Sequence, residues 1–286
     1  MKKIIALVLS ILMVVGLFAA CGSEKKDDNK TTPETTEPSQ SAESTDPSEE
    51  ETNPQASFTT VTEGKLTMAT NAYFPPYEYF EGEQIVGIDA EIAAAIAEKL
   101  GLELVIENMQ FDSIITAVSE GAVDFGLAGM TVNETRLQQI NFTISYASGV
   151  QAIIVKEGSP ITNVDDLYAD GAAYKVGVQL GTTGDIYATD DFGTDLVTQY
   201  ANGNEAVLAL INGDVDCVII DNEPAKAFVA ANEGLVVLET SYADEDYAAC
   251  IAKGNDALLE AIDNAILELT EDGTIDAIIE KYIPAE

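Results

Sequence analysis

The chain has 286 residues, of which 50 are acidic, 13 are basic and none is histidine, giving a formal net charge of −37 at pH 7. This charge excludes nucleic acid as a partner, because phosphate binding needs a basic surface. Without histidine, Ser-His-Asp and Cys-His catalysis and HExxH metal sites are excluded as well. We therefore expect no metal and no cofactor, and any acid–base chemistry would fall to carboxylate, Lys, Tyr or Cys side chains.

The first twenty residues have the layout of an export signal. Two lysines precede a mostly apolar run from Ile4 to Val15, and two alanines stand directly before Cys21. The run is too short to span a membrane. Small residues before a cysteine resemble the lipobox of bacterial lipoproteins, although Phe18 stands where that pattern usually has Leu. The sequence thus predicts a signal peptide over 1–20 and lipidation of Cys21, with an ordinary signal peptide as the alternative.

Residues 22–58 are mainly Ser, Thr, Pro, Glu and Asp. Such a segment cannot bury enough apolar surface to offset the entropy of ordering the chain. We expect residues 21–58, including the lipidated Cys21, to form a disordered acidic tether that holds the protein on the outer face of the cell membrane. The remaining residues, 59–286, suffice for one large domain or two small ones.

Strand and helix patterns alternate along residues 59–286, which predicts an α/β fold with a mostly parallel sheet covered by helices. In the first half, Asp89 is expected to cap a helix that stops at Gly101. The predicted elements of this half are a strand at 65–70, a helix at 89–100, a strand at 102–107, a helix at 111–120 and an apolar strand at 123–128.

The pattern recurs in the second half, where a helix again stops at a glycine, Gly213, directly before a buried strand. The predicted elements are strands at 174–178, 215–220 and 247–253 and helices at 204–212 and 256–269, with a break at 272–274 before a final helix that ends at 282. The repeat predicts two lobes, with 59–148 plus 252–286 forming lobe 1 and 149–251 forming the hinge strands and lobe 2. Two chain crossings, near 149–155 and 247–251, would form a two-strand hinge. Whether Cys217 and Cys250 form a disulfide bond is left open by the sequence.

Arg136 is the only arginine in the sequence. It follows a turn of small residues that begins at Gly129. A guanidinium carries a planar fork of fixed donors that grips a carboxylate through two hydrogen bonds, a geometry that lysine lacks. The alternative is a solvated surface arginine, because most charged side chains are exposed.

Aromatic, hydroxyl and charged residues collect where the predicted strands end. In open α/β sheets a ligand binds outside the carboxyl ends of the strands. Aromatic walls, backbone donors, hydroxyls, one arginine and one or two carboxylates match the chemistry of a free amino acid. The residues at these positions are Asn71, Phe74, Phe111, Gly129, Thr131, Arg136, Thr182, Thr183 and Asp221.

Several separated motifs resemble the amino-acid-binding proteins of bacterial ABC importers, solute-binding family 3. The resemblance covers about 61–283 and implies a two-lobed periplasmic-binding-protein type II fold, with lobes joined by a two-strand hinge. It also implies a monomer that delivers its amino acid to the permease subunits of an ABC transporter. The motifs are TNAYFPPYEY at 70–79, VGID at 86–89, FD at 111–112, GMTVNETR at 129–136, VGVQLGTT at 176–183 and DGT at 272–274.

The resemblance implies roles for the residues that hold the α-groups of the ligand. Arg136 and the amide and hydroxyl of Thr183 would bind the α-carboxylate. Carbonyl or amide groups of Gly129 and Thr131 would lie beside it. Asp221 would accept hydrogen bonds from the α-ammonium. An alternative for Asp221 is a solvated loop acid, and Thr183 has the alternative role of a helix cap.

The same resemblance places the ligand side chain between Phe74 and Phe111, although Phe111 could instead be ordinary core. Gln179 is expected to contact the ligand side chain, and Thr182 is either a helix cap or a second hydroxyl contact. Some relatives that prefer basic amino acids have an acid where this chain has Asn71. Its absence argues against a Lys or Arg ligand. We expect a polar uncharged amino acid, with cystine and glutamine equally admissible.

Two other functions compete with amino-acid capture. One is a periplasmic-type dehydratase on the same fold, acting on prephenate or arogenate, in which Glu223 would serve as the general acid. Against it stand the lack of histidine and the retained set of amino-acid contacts. The other is the ligand-binding domain of a sensory receptor, which would be joined to a membrane span and a signalling module.

Overall fold

The computed structural model describes residues 58–239 and 241–284. The predicted signal peptide, the predicted lipidation site Cys21 and all but the last residue of the predicted tether lie outside the described residues.

The strands vary from two residues to seventeen, and the two longest ones, β7 and β12, lie at the centre of the main sheet. Within the described residues the strands are β1 (Lys65–Thr70), β2 (Tyr73–Phe74), β3 (Glu78–Glu81), β4 (Gln84–Val86), β5 (Glu103–Asn108), β6 (Phe125–Gly126), β7 (Ile140–Lys156), β8 (Val176–Gln179), β9 (Val197–Tyr200), β10 (Cys217–Asp221), β11 (Leu235–Val237) and β12 (Ala243–Ala252).

The helices alternate with these strands and pack on both groups of parallel strands. They are α1 (Ile88–Leu100), α2 (Phe111–Ser119), α3 (Glu134–Leu137), α4 (Thr183–Phe192), α5 (Gly203–Asn212), α6 (Asn222–Ala231), α7 (Asp256–Glu271) and α8 (Thr274–Tyr282), with a short 3₁₀ helix at Val164–Tyr168.

The main sheet has two groups of parallel strands. In the first group, β1 pairs in parallel with β5 and β6, and in the second, β8 pairs in parallel with β10 and β9. Between the groups run β12 and β7, which pair with each other antiparallel. Within the described residues the strand order is β5-β1-β6-β12-β7-β10-β8-β9, with β11 attached to β7. The predicted two-lobed α/β fold, with mostly parallel sheets joined by two strands, is confirmed.

The two central strands join both parallel groups into one continuous sheet. β7 and β12 stay paired from Ile140 with Ala252 to Gln151 with Ala243, apart from register irregularities beside Ala248. Each strand therefore contributes to both parallel groups. The residue boundaries assigned to the two lobes remain a prediction.

Two local expectations are wrong. The strand expected at 123–128 is only two residues long, Phe125–Gly126, although Asp124 and Leu127 on either side of it also donate backbone hydrogen bonds to β1. Asp89 does not cap α1: the N-cap is Gly87, without a side-chain cap bond, and Asp89 is fully buried inside the helix.

Both cysteines of the described residues are free and buried. Cys250 packs in the core beside α2, and Cys217 packs in a separate core of the second half. Burial raises the pKa of both thiols to about 12, so these side chains act as small apolar core residues.

Candidate functional site

A cavity lies at the carboxyl ends of both parallel strand groups. All ten residues predicted for the site are brought together around it. The lining consists of Asn71, Phe74, Phe111, Gly129, Thr131, Arg136, Gln179, Thr182, Thr183 and Asp221, together with Glu78 and Ala128.

Arg136 is held in the cavity wall by a short capped helix. The Asn133 side chain caps α3 by accepting a hydrogen bond from the Arg136 amide at 2.8 Å. Arg136 is 4% exposed, so it is not a solvated surface residue. One guanidinium nitrogen donates to the Thr131 carbonyl at 2.7 Å and another to the Gly181 carbonyl at 3.1 Å. Its charge also lies 5.3 Å from the centre of the Phe111 ring.

Hydrogen bonds join the two sides of the cavity. Arg136, from the first half of the chain, bonds Gly181 of the second half as described. The hydroxyls of Thr131 and Thr183 share a hydrogen bond of 3.3 Å. With the cavity lined by both halves and bridged in this way, the structure has the geometry of a closed cleft.

The N-terminus of α4 faces the cavity. Thr182 is its N-cap: its hydroxyl accepts from the Asp185 amide at 3.3 Å and donates to the Gln179 carbonyl at 2.8 Å. Thr183 is the first residue of the helix, where N–H groups have no intrahelical partner. Together with the helix dipole, these donors form a favourable position for an anion next to Arg136.

Asp221 is the buried carboxyl group of the second half of the chain that lines the same cavity. It ends β10 and is 6% exposed, so it is not a solvated loop acid. Burial raises the pKa of Asp221, and the Glu245 carboxylate raises it further. The Tyr247 hydroxyl donates a hydrogen bond to Asp221 Oδ1, and this bond lowers the pKa of Asp221. Glu223, the candidate general acid, is not among the described residues that line the cavity. Its carboxylate forms an ion pair with Lys226 at 2.8 Å.

Gly129 is fixed by the buried acid Asp89. The Gly129 amide donates to Asp89 Oδ2 at 2.7 Å, and the Tyr146 hydroxyl donates to the same carboxyl group. The amide of Gly129 is therefore already engaged, which leaves its carbonyl for a ligand. Gly129 has φ of +51°, and a Cβ there would lie 2.7 Å from a Phe74 ring carbon. Only glycine fits this position without displacing the ring.

The aromatic residues form one wall of the cavity. Phe74 is 7% exposed and stacks on Tyr77 at a ring distance of 5.7 Å. Phe111 begins α2, packs in the core with Ile114 and also faces the Arg136 guanidinium. Phe111 thus belongs both to the core and to the cavity wall, so the two readings of this residue do not exclude each other.

The polar residues at the remaining wall are Asn71, Gln179 and Glu78. Gln179 donates to the Asn71 side-chain oxygen at 2.9 Å, and Asn71 donates to the Met109 carbonyl at 2.7 Å. Glu78 is fully buried, and among the described residues neither of its carboxyl oxygens has a hydrogen-bond partner. Burial raises the pKa of Glu78 well above its usual range, and the neighbouring Asp89 carboxylate raises it further.

Sequence reasoning missed Glu78 and Ala128 as lining residues. Glu78 stands inside the TNAYFPPYEY motif, but its burial depends on the return of the chain through β3. Among the described residues no cluster of three or more acidic or cysteine side chains could hold a metal ion. In the same part of the chain no helix has the length and hydropathy needed to cross a membrane.

A two-lobed α/β fold with a cleft lined by a buried arginine and a buried aspartate defines the class of periplasmic-type binding proteins. The chain matches the family of bacterial extracellular solute-binding proteins, family 3, over residues 66–285. It belongs to this family.

Relatives and solved structures of the same kind cover most of the chain. The arginine-binding extracellular protein ArtP of Bacillus subtilis (strain 168) is 30% identical over 231 residues, which are 78% of this chain and 87% of that protein. The L-cystine-binding protein TcyJ of Escherichia coli (strain K12) is 29% identical over 230 residues, 78% of this chain and 84% of that protein. The structure of an ancestral arginine-binding protein bound to glutamine matches with a TM-score of 0.73 and 37% identity, covering 78% of this chain and all of that chain.

Proposed function

We propose that this protein captures one free amino acid in the cavity and delivers it to the permease of an ABC importer. The observation that carries the proposal is the placement of buried Arg136 and buried Asp221 on the same cavity. A zwitterion that leaves water loses hydration worth several kcal/mol per charge, which is recovered only when each pole meets an opposite charge and oriented donors. Arg136 and the N-terminus of α4 serve the α-carboxylate, and Asp221 serves the α-ammonium.

Closure follows from the distribution of these groups along the chain. Arg136 and Thr131 come from the first half of the chain, whereas Thr183 and Asp221 come from the second. A ligand held by both sets makes contacts that an open cleft lacks, so binding shifts the population towards the closed form. The strands β7 and β12 that join the two parallel groups serve as the hinge.

For the ligand side chain we propose a polar, uncharged group, with glutamine or cystine as candidates. The cavity presents two neutral amides, Asn71 and Gln179. Burial raises the pKa of Glu78 and so favours its protonated form, which carries one O–H donor and one carbonyl acceptor. That pattern is complementary to a carboxamide.

A basic amino acid is the second candidate, and one specific observation favours it. Both oxygens of buried Glu78 lack partners among the described residues, and a cationic ligand side chain would lower the pKa of this carboxyl and pair with it. Several similar proteins are named for arginine or histidine.

A thermal-shift panel of the twenty amino acids and cystine tests the function and separates the two candidates. A ligand present at 100 times its Kd stabilises the folded protein by about 2.7 kcal/mol. We expect glutamine or cystine to raise Tm clearly, whereas arginine and lysine should not. A rise with arginine that the Glu78→Gln variant loses would select the basic ligand, and no rise with any compound would refute amino-acid capture.

The N-terminal segment supports a lipid anchor in this proposal. Cys21 would carry palmitate after removal of residues 1–20, and the acidic tether would let the binding domain reach a permease. Labelled palmitate should be incorporated into the wild-type chain and not into Cys21→Ser, which should be released from cells. Palmitate in Cys21→Ser would contradict the assignment. We propose a monomer, which size-exclusion chromatography with light scattering checks.

A further inference from the structure

Tyr247 occupies a central position between the halves of the molecule. It lies on the central strand β12 and is fully buried. Its backbone forms an isolated bridge with Thr131, a residue of the cavity wall. Its ring packs edge-on against Tyr77, with 5.3 Å between the centroids and an interplanar angle of 83°. The side chain is therefore fixed both in position and in orientation.

The hydroxyl of this fixed ring reaches the ammonium end of the cavity, where it donates to Asp221 Oδ1. Asp221 itself ends β10, opposite Gln151 of β7 in the strand register. Gln151 donates to Glu245 Oε2 at 2.9 Å, and Glu245 lies two residues before Tyr247 on the same face of β12. A buried polar network thus ties Asp221 to both central strands.

Glycine at position 149 leaves room for this hydroxyl. A Cβ built on Gly149 would lie 2.0 Å from the Tyr247 hydroxyl oxygen and 2.2 Å from the ring carbon that carries it. Because real Cβ atoms do not approach other atoms so closely, any larger residue at 149 has to displace the Tyr247 ring. The glycine on β7 therefore makes the space that the Tyr247 side chain of β12 needs to reach Asp221.

We propose that Tyr247 is a positioning residue, which fixes the Asp221 carboxylate for the ligand ammonium and couples it to the central strands β7 and β12. The inference rests on the proposed function of amino-acid capture. Tyr247 touches no ligand in this account. It acts through Asp221, because an ammonium group gains most from a carboxylate whose second oxygen is already oriented by a donor.

The charges around Asp221 make this role measurable as a pH dependence. Burial and Glu245 raise the pKa of Asp221, whereas the Tyr247 hydrogen bond lowers it. Loss of the hydroxyl should raise this pKa, so a larger fraction of Asp221 is protonated at mildly acidic pH and unable to pair with an ammonium. The other titratable groups near Asp221 are Tyr77, Glu78, Arg136, Tyr187 and Glu223.

Calorimetry on the Tyr247→Phe variant tests the inference, with L-glutamine, L-cystine and L-arginine as probes between pH 5.5 and 8.5. Hydrogen bonds to charged groups predict a Kd about 10- to 100-fold higher than that of the wild type, with the difference growing as the pH falls. Tyr168→Phe is the matched control, because it removes an exposed tyrosine hydroxyl that donates to Asp191 at 2.6 Å. Its Kd should equal that of the wild type.

Gly149→Ala provides a second variant that keeps the hydroxyl but displaces it. Melting curves establish that each variant is folded, and we expect weaker binding from Gly149→Ala as well. Wild-type binding together with an unchanged Kd and pH profile in Tyr247→Phe would overturn the positioning role and leave the proposed function intact. Failure of the wild type to bind any of the probes would overturn both.

Discussion

The side chains of Asn71 and Gln179 meet across the cavity, where Gln179 Nε2 donates to Asn71 Oδ1 at 2.9 Å. Asn71 follows β1, and Gln179 ends β8, so the bond links the two parallel strand groups. The amide of Asn71 is also held by the Met109 carbonyl. These bonds fix a neutral amide at the position where an acid would favour a cationic ligand.

Asn71→Asp is expected to shift the specificity towards basic amino acids. The new carboxylate can still accept from Gln179, but it adds a negative charge to a buried cavity. We expect the affinity for L-lysine and L-arginine to rise about tenfold or more and the affinity for uncharged ligands to fall. Calorimetry on the wild type and the variant measures both changes.

Asn71→Ser serves as the control for this prediction, because it shortens the side chain without adding charge. It should weaken binding without favouring basic ligands. Equal ratios of Kd values for L-glutamine and L-arginine in the wild type and in Asn71→Asp would show that position 71 does not set the charge preference.

Arg136→Lys should lose most of the binding while the fold survives. A lysine keeps the positive charge but lacks the planar fork that bonds Thr131 and Gly181 and faces a ligand carboxylate. Hydrogen bonds to charged groups contribute about 1.5 to 3 kcal/mol each, so the loss of one such bond to the ligand carboxylate corresponds to an increase in Kd of roughly 10-fold or more.

Arg136→Ala should abolish calorimetric binding altogether. Melting curves without ligand separate this loss from unfolding, since Arg136 belongs to a helix of only four residues. Near-normal affinity in a folded Arg136→Lys protein would show that the guanidinium is not needed to bind the ligand carboxylate.

The sequence predicted most of the elements because glycine stops and apolar strands are local signals. Gly101 and Gly213 end their helices in the left-handed conformation, as expected. The strand ending at Ala252 was expected to begin at Tyr247, but it begins at Ala243. The acidic segment Asp244–Asp246 hides this extension, since its strand conformation comes from pairing with β7 and not from its own composition.

The candidate site residues could be gathered from sequence because strand ends in an α/β fold converge on one edge. The roles of Glu78, Asp89 and Tyr247 could not, because they depend on distant chain segments. Asp89 resembles a helix cap in its local sequence, yet it accepts the Gly129 amide from 40 residues away. Burial of such an acid is decided by tertiary packing, which local pattern does not encode.

The ligand-free protein should be more stable at pH 4.5 than at pH 8. Burial raises the pKa of Asp89 from 3.8 to about 6. The folded state therefore holds a proton that the unfolded chain releases, so stability is greatest below the unfolded pKa and is lost as pH rises through about 6. The full shift corresponds to about 3 kcal/mol, of which about 2 kcal/mol is lost between pH 4.5 and pH 8.

Asp89→Asn isolates this contribution, because its side-chain oxygen still accepts from Gly129 while its charge cannot change. The free energy of unfolding, measured by urea titration at pH 4.5, 6 and 8, should fall less steeply in the variant. Glu78 and Asp221 have raised pKa values as well and should leave a residual slope of the same sign. If the free energy of unfolding of the wild type instead rises with pH, the raised pKa values of these buried acids are contradicted.

Gly129→Ala should weaken binding more than it weakens the fold. The added Cβ would lie 2.7 Å from the Phe74 ring in a backbone conformation that favours glycine. We expect the free energy of unfolding to fall by about 1 to 3 kcal/mol. The free energy of ligand binding should fall by a larger fraction of its wild-type value, because the displaced ring lines the cavity. Gly158→Ala, also at positive φ but with no atom within 4 Å of its Cβ, is the control for backbone strain alone.

The most direct test of the account compares one amino acid with derivatives that lack a charge at either pole. Calorimetry would titrate the protein with the amino acid that raises Tm most, then with its α-carboxamide and its N-acetyl form. If Arg136 holds the α-carboxylate and Asp221 holds the α-ammonium, each derivative should bind at least about 100-fold more weakly than the parent compound. Equal affinity for the parent and either derivative would contradict the assignment of that pole.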